Sequence, residues 1–286
     1  MGGVEVTGRK AFHELPLVGF TTLATAGAGV GSAHLLFALF DGISLAAPQA
    51  STGLAAALLL AGMLLSGGHL GKPLRAPMAL RRAGRSPLSN EVLVVGGTCA
   101  AAALCASLPP GSIIQPWVAL AFGLGGVLTL LSLGWVYRLK GQLAWGGSAP
   151  LHPLVLGTAV GSLLYSLTGG ASQTGPLEAV LVPLLLMDLL LAWASVRRRS
   201  RAVDRGNPVH PDLWTRRRWL VAARIVAAFP FTIIALLMDR PAAALLSLSL
   251  ALVLDRVAFY GLAVRWTTIS QLARVEELVR KGAPSS

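Results

Sequence analysis

Charge is scarce in this chain. Asp, Glu, Lys and Arg together supply 13% of its 286 residues, against about 25% in a typical soluble domain. Too little charge is present to cover a soluble globular surface, so that class is excluded. Cysteine is almost absent. Cys99 and Cys105 share one apolar stretch, and their spacing matches neither a metal nor a redox motif. They read as small buried apolar residues, and no framework exists here to ligate an iron–sulfur cluster. Acidic residues are also few, 12 against 24 basic ones, for a net charge of +12. The basic residues lie between apolar runs and no DNA- or RNA-binding signature accompanies them, so membrane orientation accounts for the charge and nucleic acid is set aside. No secretory leader is evident. Met1 to Glu14 is polar, and the first apolar run is too long for a signal core and lacks a convincing cleavage site. That run is expected to remain as the first helix.

Hydrophobic residues make up 54% of the chain, and the mean hydropathy is +0.68. They fall into eight runs: Leu17–Leu39, Thr52–Leu70, Asn90–Leu108, Gln115–Tyr137, His152–Leu167, Leu177–Val196, Trp219–Met238 and Ala242–Val264. Each approaches the roughly 20 apolar residues a membrane helix needs, the fifth being the shortest. The runs are continuous rather than alternating, which argues against barrel strands. The expected fold is all-α, a polytopic bundle of eight transmembrane helices with both termini on one side. It divides into an N-terminal tail (1–16), the membrane domain (17–265) and a C-terminal tail (266–286). In that tail Ile269, Leu272, Val275 and Val279 recur at helical spacing. Such a segment lies along a membrane surface or packs on a partner.

The loops are strongly unequal. Two basic residues lie in the N-terminal tail, five after the second run, two after the fourth, eight after the sixth and four in the C-terminal tail. The alternate connections carry only Arg240, while Arg224 and Arg256 fall inside helices. The positive-inside rule then places both termini in the cytoplasm. The asymmetry also supports an even helix count. The long basic loops give the cytoplasmic face material for docking partners.

Within the first run, Gly27 and Gly31 have the spacing that permits close helix approach. The local Gly27-Ala28-Gly29-Val30-Gly31 superficially looks like a dinucleotide loop, but Ser32 stands at the third glycine position inside an apolar helix. Ionisable residues in membrane helices are functional candidates, because burying them is costly. Asp188, Arg224, Asp255 and Arg256 qualify. A structural ion pair such as Arg224 with Asp188 is favoured at least as much as a proton path. His34 lies about 25 Å from the basic face at ~1.5 Å per residue and His69 lies at that face. They are therefore poorly placed to share a haem, and His34 reads as a packing or helix-end residue.

The segment from His69 to Glu91, HLGKPLRAPMALRRAGRSPLSNE, joins the second and third runs on the basic side. A neutral imidazole can bond a quinone carbonyl or accept a quinol proton, and its ordinary pKa of about 6.5 suits proton exchange. A nearby carboxylate can relay that proton to water. Plain structural readings stand beside this. Ser89 and Asn90 are good helix caps, and Glu91 then falls in a first turn favoured by the helix dipole. His69 near a helix C-terminus is favourable for the same reason.

The segment resembles the membrane anchor subunit of bacterial dimethyl sulfoxide reductase. The resemblance rests on H-L-G-x-P-x-R-A from His69 to Ala76, then Leu80, Arg82 and Gly84, then Leu88-Ser89-Asn90-Glu91. His13-Glu14-Leu15-Pro16-Leu17 and Arg256-Val257-Ala258-Phe259-Tyr260-Gly261 also look like the family. The fourth to seventh runs offer only helix count and length. The resemblance implies an eight-helix anchor without haem, metal or iron–sulfur cluster of its own. Its implied partners are a four-cluster iron–sulfur subunit and a molybdopterin catalytic subunit, and its implied carrier is menaquinone or ubiquinone. It implies that His69 and Glu91 belong to the quinol site, with Arg75 and Arg82 beside it. Tyr260 is added as a pocket-lining candidate, although an aromatic at the membrane interface is the commoner case. Lys72, Arg81 and Arg85 make this loop more basic than the family pattern. Anchors of cytoplasmic sulfite dehydrogenases share a similar H-L-G-x-P, so substrate and direction of electron flow stay open. A transporter or proton channel is a more distant alternative, as is a purely structural anchor.

Overall fold

The computed structural model describes residues 15–40, 47–69, 81, 83–136, 151–170, 177–204 and 211–261. Among them every regular element is helical. In chain order these are α1 (Leu15–Phe40), α2 (Gln49–His69), α3 (Pro87–Ser107), α4 (Gln115–Trp135), α5 (Leu151–Leu167), α6 (Leu177–Asp204), α7 and α8 (Pro241–Gly261). Helix α7 is α-helical over Pro211–Val226, widens to a π turn over Ala227–Phe231, and finishes as Thr232–Leu237. Seven of these helices are long and apolar enough to cross a membrane, and α5 is a shorter apolar helix. Residues 1–14 of the expected N-terminal tail, the C-terminal tail and its Ile269–Val279 segment lie outside the described residues, while Leu15 and Pro16 already belong to α1.

The apolar runs mark the helices well but not their ends. Helix α3 starts at Pro87 with Ser86 at its N-cap, ahead of the expected Asn90. Proline suits a first helical position because its missing N–H is unused there. Ser89 is buried, and Asn90 Oδ1 accepts a hydrogen bond from the Gly84 N–H at 2.6 Å. Glu91 therefore lies past the first turn, and the capping reading is corrected. Helix α6 extends past its apolar run to Asp204, and α7 begins at Pro211 rather than Trp219. Arginine-rich helix continues readily into water, where hydropathy no longer tracks the backbone.

Helix α1 is the hub, packing against α2, α4 and α5. Its glycines make that possible, each toward a different neighbour. A Cβ at Gly27 would meet the Ala55 carbonyl and Leu59 of α2, one at Gly31 the Phe122 carbonyl of α4, and one at Gly29 the Gly157 carbonyl of α5. Gly161 of α5 faces Gly29 in return, so two backbones touch without side chains between them. Hydroxyl pairs tie further helices at buried positions, Ser32 to Thr158 at 2.8 Å and Thr98 to Thr129 at 3.0 Å. Such bonds suit a lipid setting, where association leans on close packing and polar contacts.

These contacts also set the registers. Gly27 against Ala55 and Gly19 against Leu65 make α1 and α2 antiparallel, whereas Thr25 beside Gly157 and His34 beside Tyr165 make α1 and α5 parallel. Helices α2 and α3 run antiparallel, with Gly53 near Ala106, the Cys99 thiol on the Ala56 carbonyl and Gly96 near Met63. Continuing that register brings the His69 end of α2 level with the first turns of α3. Pro230 interrupts α7 because it has no N–H to donate. The π turn absorbs the break, and the Ala227 carbonyl accepts from the Ser247 hydroxyl at 2.6 Å.

Gly29→Val is expected to force α1 and α5 apart and destabilise the bundle by at least about 1–3 kcal/mol. Thermal unfolding in detergent, followed by size-exclusion chromatography, measures this. Gly97, whose Cβ position faces open space, should accept alanine with no loss.

Candidate functional site

Two polar centres stand out, both in the half of the bundle nearest the basic loops. The first is Glu91. The buried face of α3 runs Glu91, Val95, Thr98, Ala102 and Cys105, a helical stripe turned toward the other helices. Glu91 ends that stripe and is 2% exposed. One turn deeper, Val95 joins Phe20, Ala24, Leu59, Leu130 and Leu133 in an apolar cluster edged by Leu17, Met63 and Leu154. The carboxyl oxygen Oε1 is buried and has no hydrogen-bond partner among the described residues. A buried oxygen in that state carries a desolvation penalty of about 1–3 kcal/mol unless a donor reaches it. The arrangement is therefore suited to a ligand O–H or to a proton, against an apolar floor that receives hydrocarbon.

The second centre joins α5, α6, α7 and α8. Arg224 Nη2 donates to Asp188 Oδ1 at 2.5 Å, and Arg224 Nε lies 3.2 Å from Asp255 Oδ1. Asp255 is shared, since Arg256 Nη2 donates to its Oδ2 at 2.7 Å. His152 Nδ1 lies 4.0 Å from Asp188. Asp188, Arg224 and Arg256 are buried, and Asp255 is 17% exposed on its side chain. Two arginines and two aspartates balance in formal charge, which lowers the penalty of placing them inside an apolar bundle. Arg256 also stands over the Phe259 ring, 5.5 Å from its centroid.

The family follows from comparison with known proteins. A family model described as DMSO reductase anchor subunit (DmsC) matches residues 9–262. The chain belongs to this family. No curated protein and no solved structure matches it. The chain is thus the membrane anchor of a dimethyl sulfoxide reductase-type complex.

Among the residues singled out from the sequence of the anchor, Glu91 is placed in full. The backbone of His69 closes α2, while its side chain lies outside the described residues, as do Arg75 and Arg82. Tyr260 is buried near the end of α8, edge-on to Phe259 at 5.3 Å. Helix α8 packs on α5, α7 and α1, so Tyr260 belongs to the half of the anchor that holds the arginine–aspartate network. His34 lies toward the opposite end, where its Nδ1 is 3.1 Å from the Tyr165 hydroxyl and Phe37 stacks on the same tyrosine ring. The Arg224–Asp188 pair was legible from the two charges in apolar runs. The roles of Asp255 as shared acceptor and of His152 as neighbour were not, because they depend on α5 and α8 flanking α6 and α7.

Removing one member of the network strands its partner. Asp188→Leu alone is expected to cost the anchor about 3–5 kcal/mol, and the double variant Asp188→Leu with Arg224→Met distinctly less. A double-mutant cycle on thermal stability in detergent checks this, strict additivity being the contrary result.

Proposed function

We propose that the anchor oxidises quinol at the basic end of the bundle, between His69 and Glu91, and passes two electrons to a docked iron–sulfur subunit. The observation that carries this reading is the buried carboxyl oxygen of Glu91, without a hydrogen-bond partner among the described residues, above an apolar floor. The α2–α3 register supports it by bringing the His69 end level with that carboxyl. Quinol is the substrate, a menaquinol or ubiquinol. Its hydrocarbon tail lies among apolar side chains and its hydroxyls face His69 and Glu91. His69 accepts one proton and Glu91 the other, and both leave to water at the basic end. The quinol loses two protons and two electrons and departs as quinone. Arg75 and Arg82 orient this end of the site or bind the iron–sulfur subunit. Tyr260 remains a candidate for the pocket wall.

All eight apolar helices cross the inner membrane of a bacterial cell in this reading, α5 included, and the basic loops hold both termini in the cytoplasm. The docked subunit carries four iron–sulfur clusters and hands electrons to a molybdopterin catalytic subunit. The family match supports a dimethyl sulfoxide reductase-type complex over a sulfite dehydrogenase anchor. It likewise weighs against a transporter or proton channel.

Glu91→Gln keeps the shape of the side chain and removes its proton acceptor. In the assembled complex, quinol-driven turnover should fall by about 10²-fold or more, as it should for His69→Ala. Turnover driven by a dye that reduces the partner subunits directly should stay within about twofold of wild type, the change then being confined to the quinol step. Undiminished quinol-driven turnover in Glu91→Gln would refute the assignment.

A further inference from the structure

The outer faces of α7 and α8 enclose a groove of about 650 Å³, a size typical of small-molecule sites. Small residues form its floor, Ala223 and Ala227 from α7 and Ala243 and Ser247 from α8. The Ser247 hydroxyl is spent on the Ala227 carbonyl, so the floor offers a ligand hydrocarbon only. Phe231 and Leu250 are exposed and stand at its sides. From Ala223 to Met238 the groove follows α7 for about 22 Å at ~1.5 Å per residue. That exceeds the ~15 Å half-thickness of a bilayer core. It is open to the lipid phase and long enough for a full acyl chain.

One end is not apolar. Arg240, in the α7–α8 connection, lines the groove at the end away from the basic loops. It is the single basic residue in the connections on that side of the sequence. Among the described residues it forms no ion pair, its neighbour Asp239 included. A guanidinium at headgroup depth over an apolar channel is complementary to a phosphate ester carrying a hydrocarbon tail. A second copy of this chain fits less well. A two-fold axis along the membrane normal would bring Arg240 toward Arg240 across the same patch.

We infer that the α7–α8 groove is a binding site for an anionic phospholipid of the leaflet opposite the basic loops, its phosphate on Arg240 and one acyl chain between the helices. The site is independent of the quinol reading, since it uses neither His69 nor Glu91. Pro230 contributes by widening α7 at Ala227–Phe231, two of whose residues line the groove.

The test is native mass spectrometry of the full chain, purified in mild detergent and equilibrated with equal amounts of phosphatidylglycerol and phosphatidylcholine of the same acyl chains. One retained phosphatidylglycerol is expected, favoured about fivefold over phosphatidylcholine, the preference a single surface cation confers. Arg240→Ala should abolish the preference while a lipid is still retained, and Arg240→Lys should keep it. Ala243→Leu should reduce retained lipid of both kinds. Equal retention of the two lipids by wild type would overturn the inference. So would a preference that survives Arg240→Ala, a retained quinone in place of phospholipid, or a dimer that Ala243→Leu dissolves.

Discussion

The close approach of three helices to one stretch of α1 is the constraint on which the bundle rests. Around Gly27, Gly29 and Gly31 the neighbouring helices reach backbone or near-backbone contact. Water supplies no hydrophobic force between helices inside a bilayer, so shape and dispersion must hold them. Glycine at alternate positions points toward successive neighbours around the helix, and three partners dock on one short segment. α1 is consequently the most enclosed of the long helices, and together with α5 it stands between the α2–α3–α4 group and the α6–α7–α8 group.

That separation gives the two polar centres different characters. Glu91 sits in the first group with a bare carboxyl oxygen over apolar side chains. The arginines and aspartates sit in the second and largely answer one another. A charge-balanced network tolerates burial and ties helices together, whereas a buried carboxyl oxygen with no donor among the described residues carries a desolvation cost. Both centres hold buried polar atoms without a hydrogen-bond partner among the described residues, Glu91 Oε1 in the first and guanidinium nitrogens of Arg224 and Arg256 in the second; the second also places opposite charges within ion-pair distance, and that distinguishes them.

Hydropathy identified the helices because a lipid-exposed backbone must satisfy its own hydrogen bonds, so a long apolar run in a membrane is a helix. It misjudged the ends of α3, α6 and α7, where capping, proline and arginine decide and hydropathy is silent. The H-L-G and S-N-E motifs marked the family, which the match over residues 9–262 established. Those motifs did not reveal that Ser89 is buried or that Asn90 braces the preceding turn.

Amino-acid order alone determined the membrane character, the apolar helices and the charge asymmetry between alternate connections. Each is a local property of composition along the chain. Tertiary structure alone decided which charges meet, which glycines touch backbone and which buried carboxyl oxygen has no donor among the described residues. Those outcomes depend on the rotation and register of packed helices, and these are set by side chains far apart in sequence.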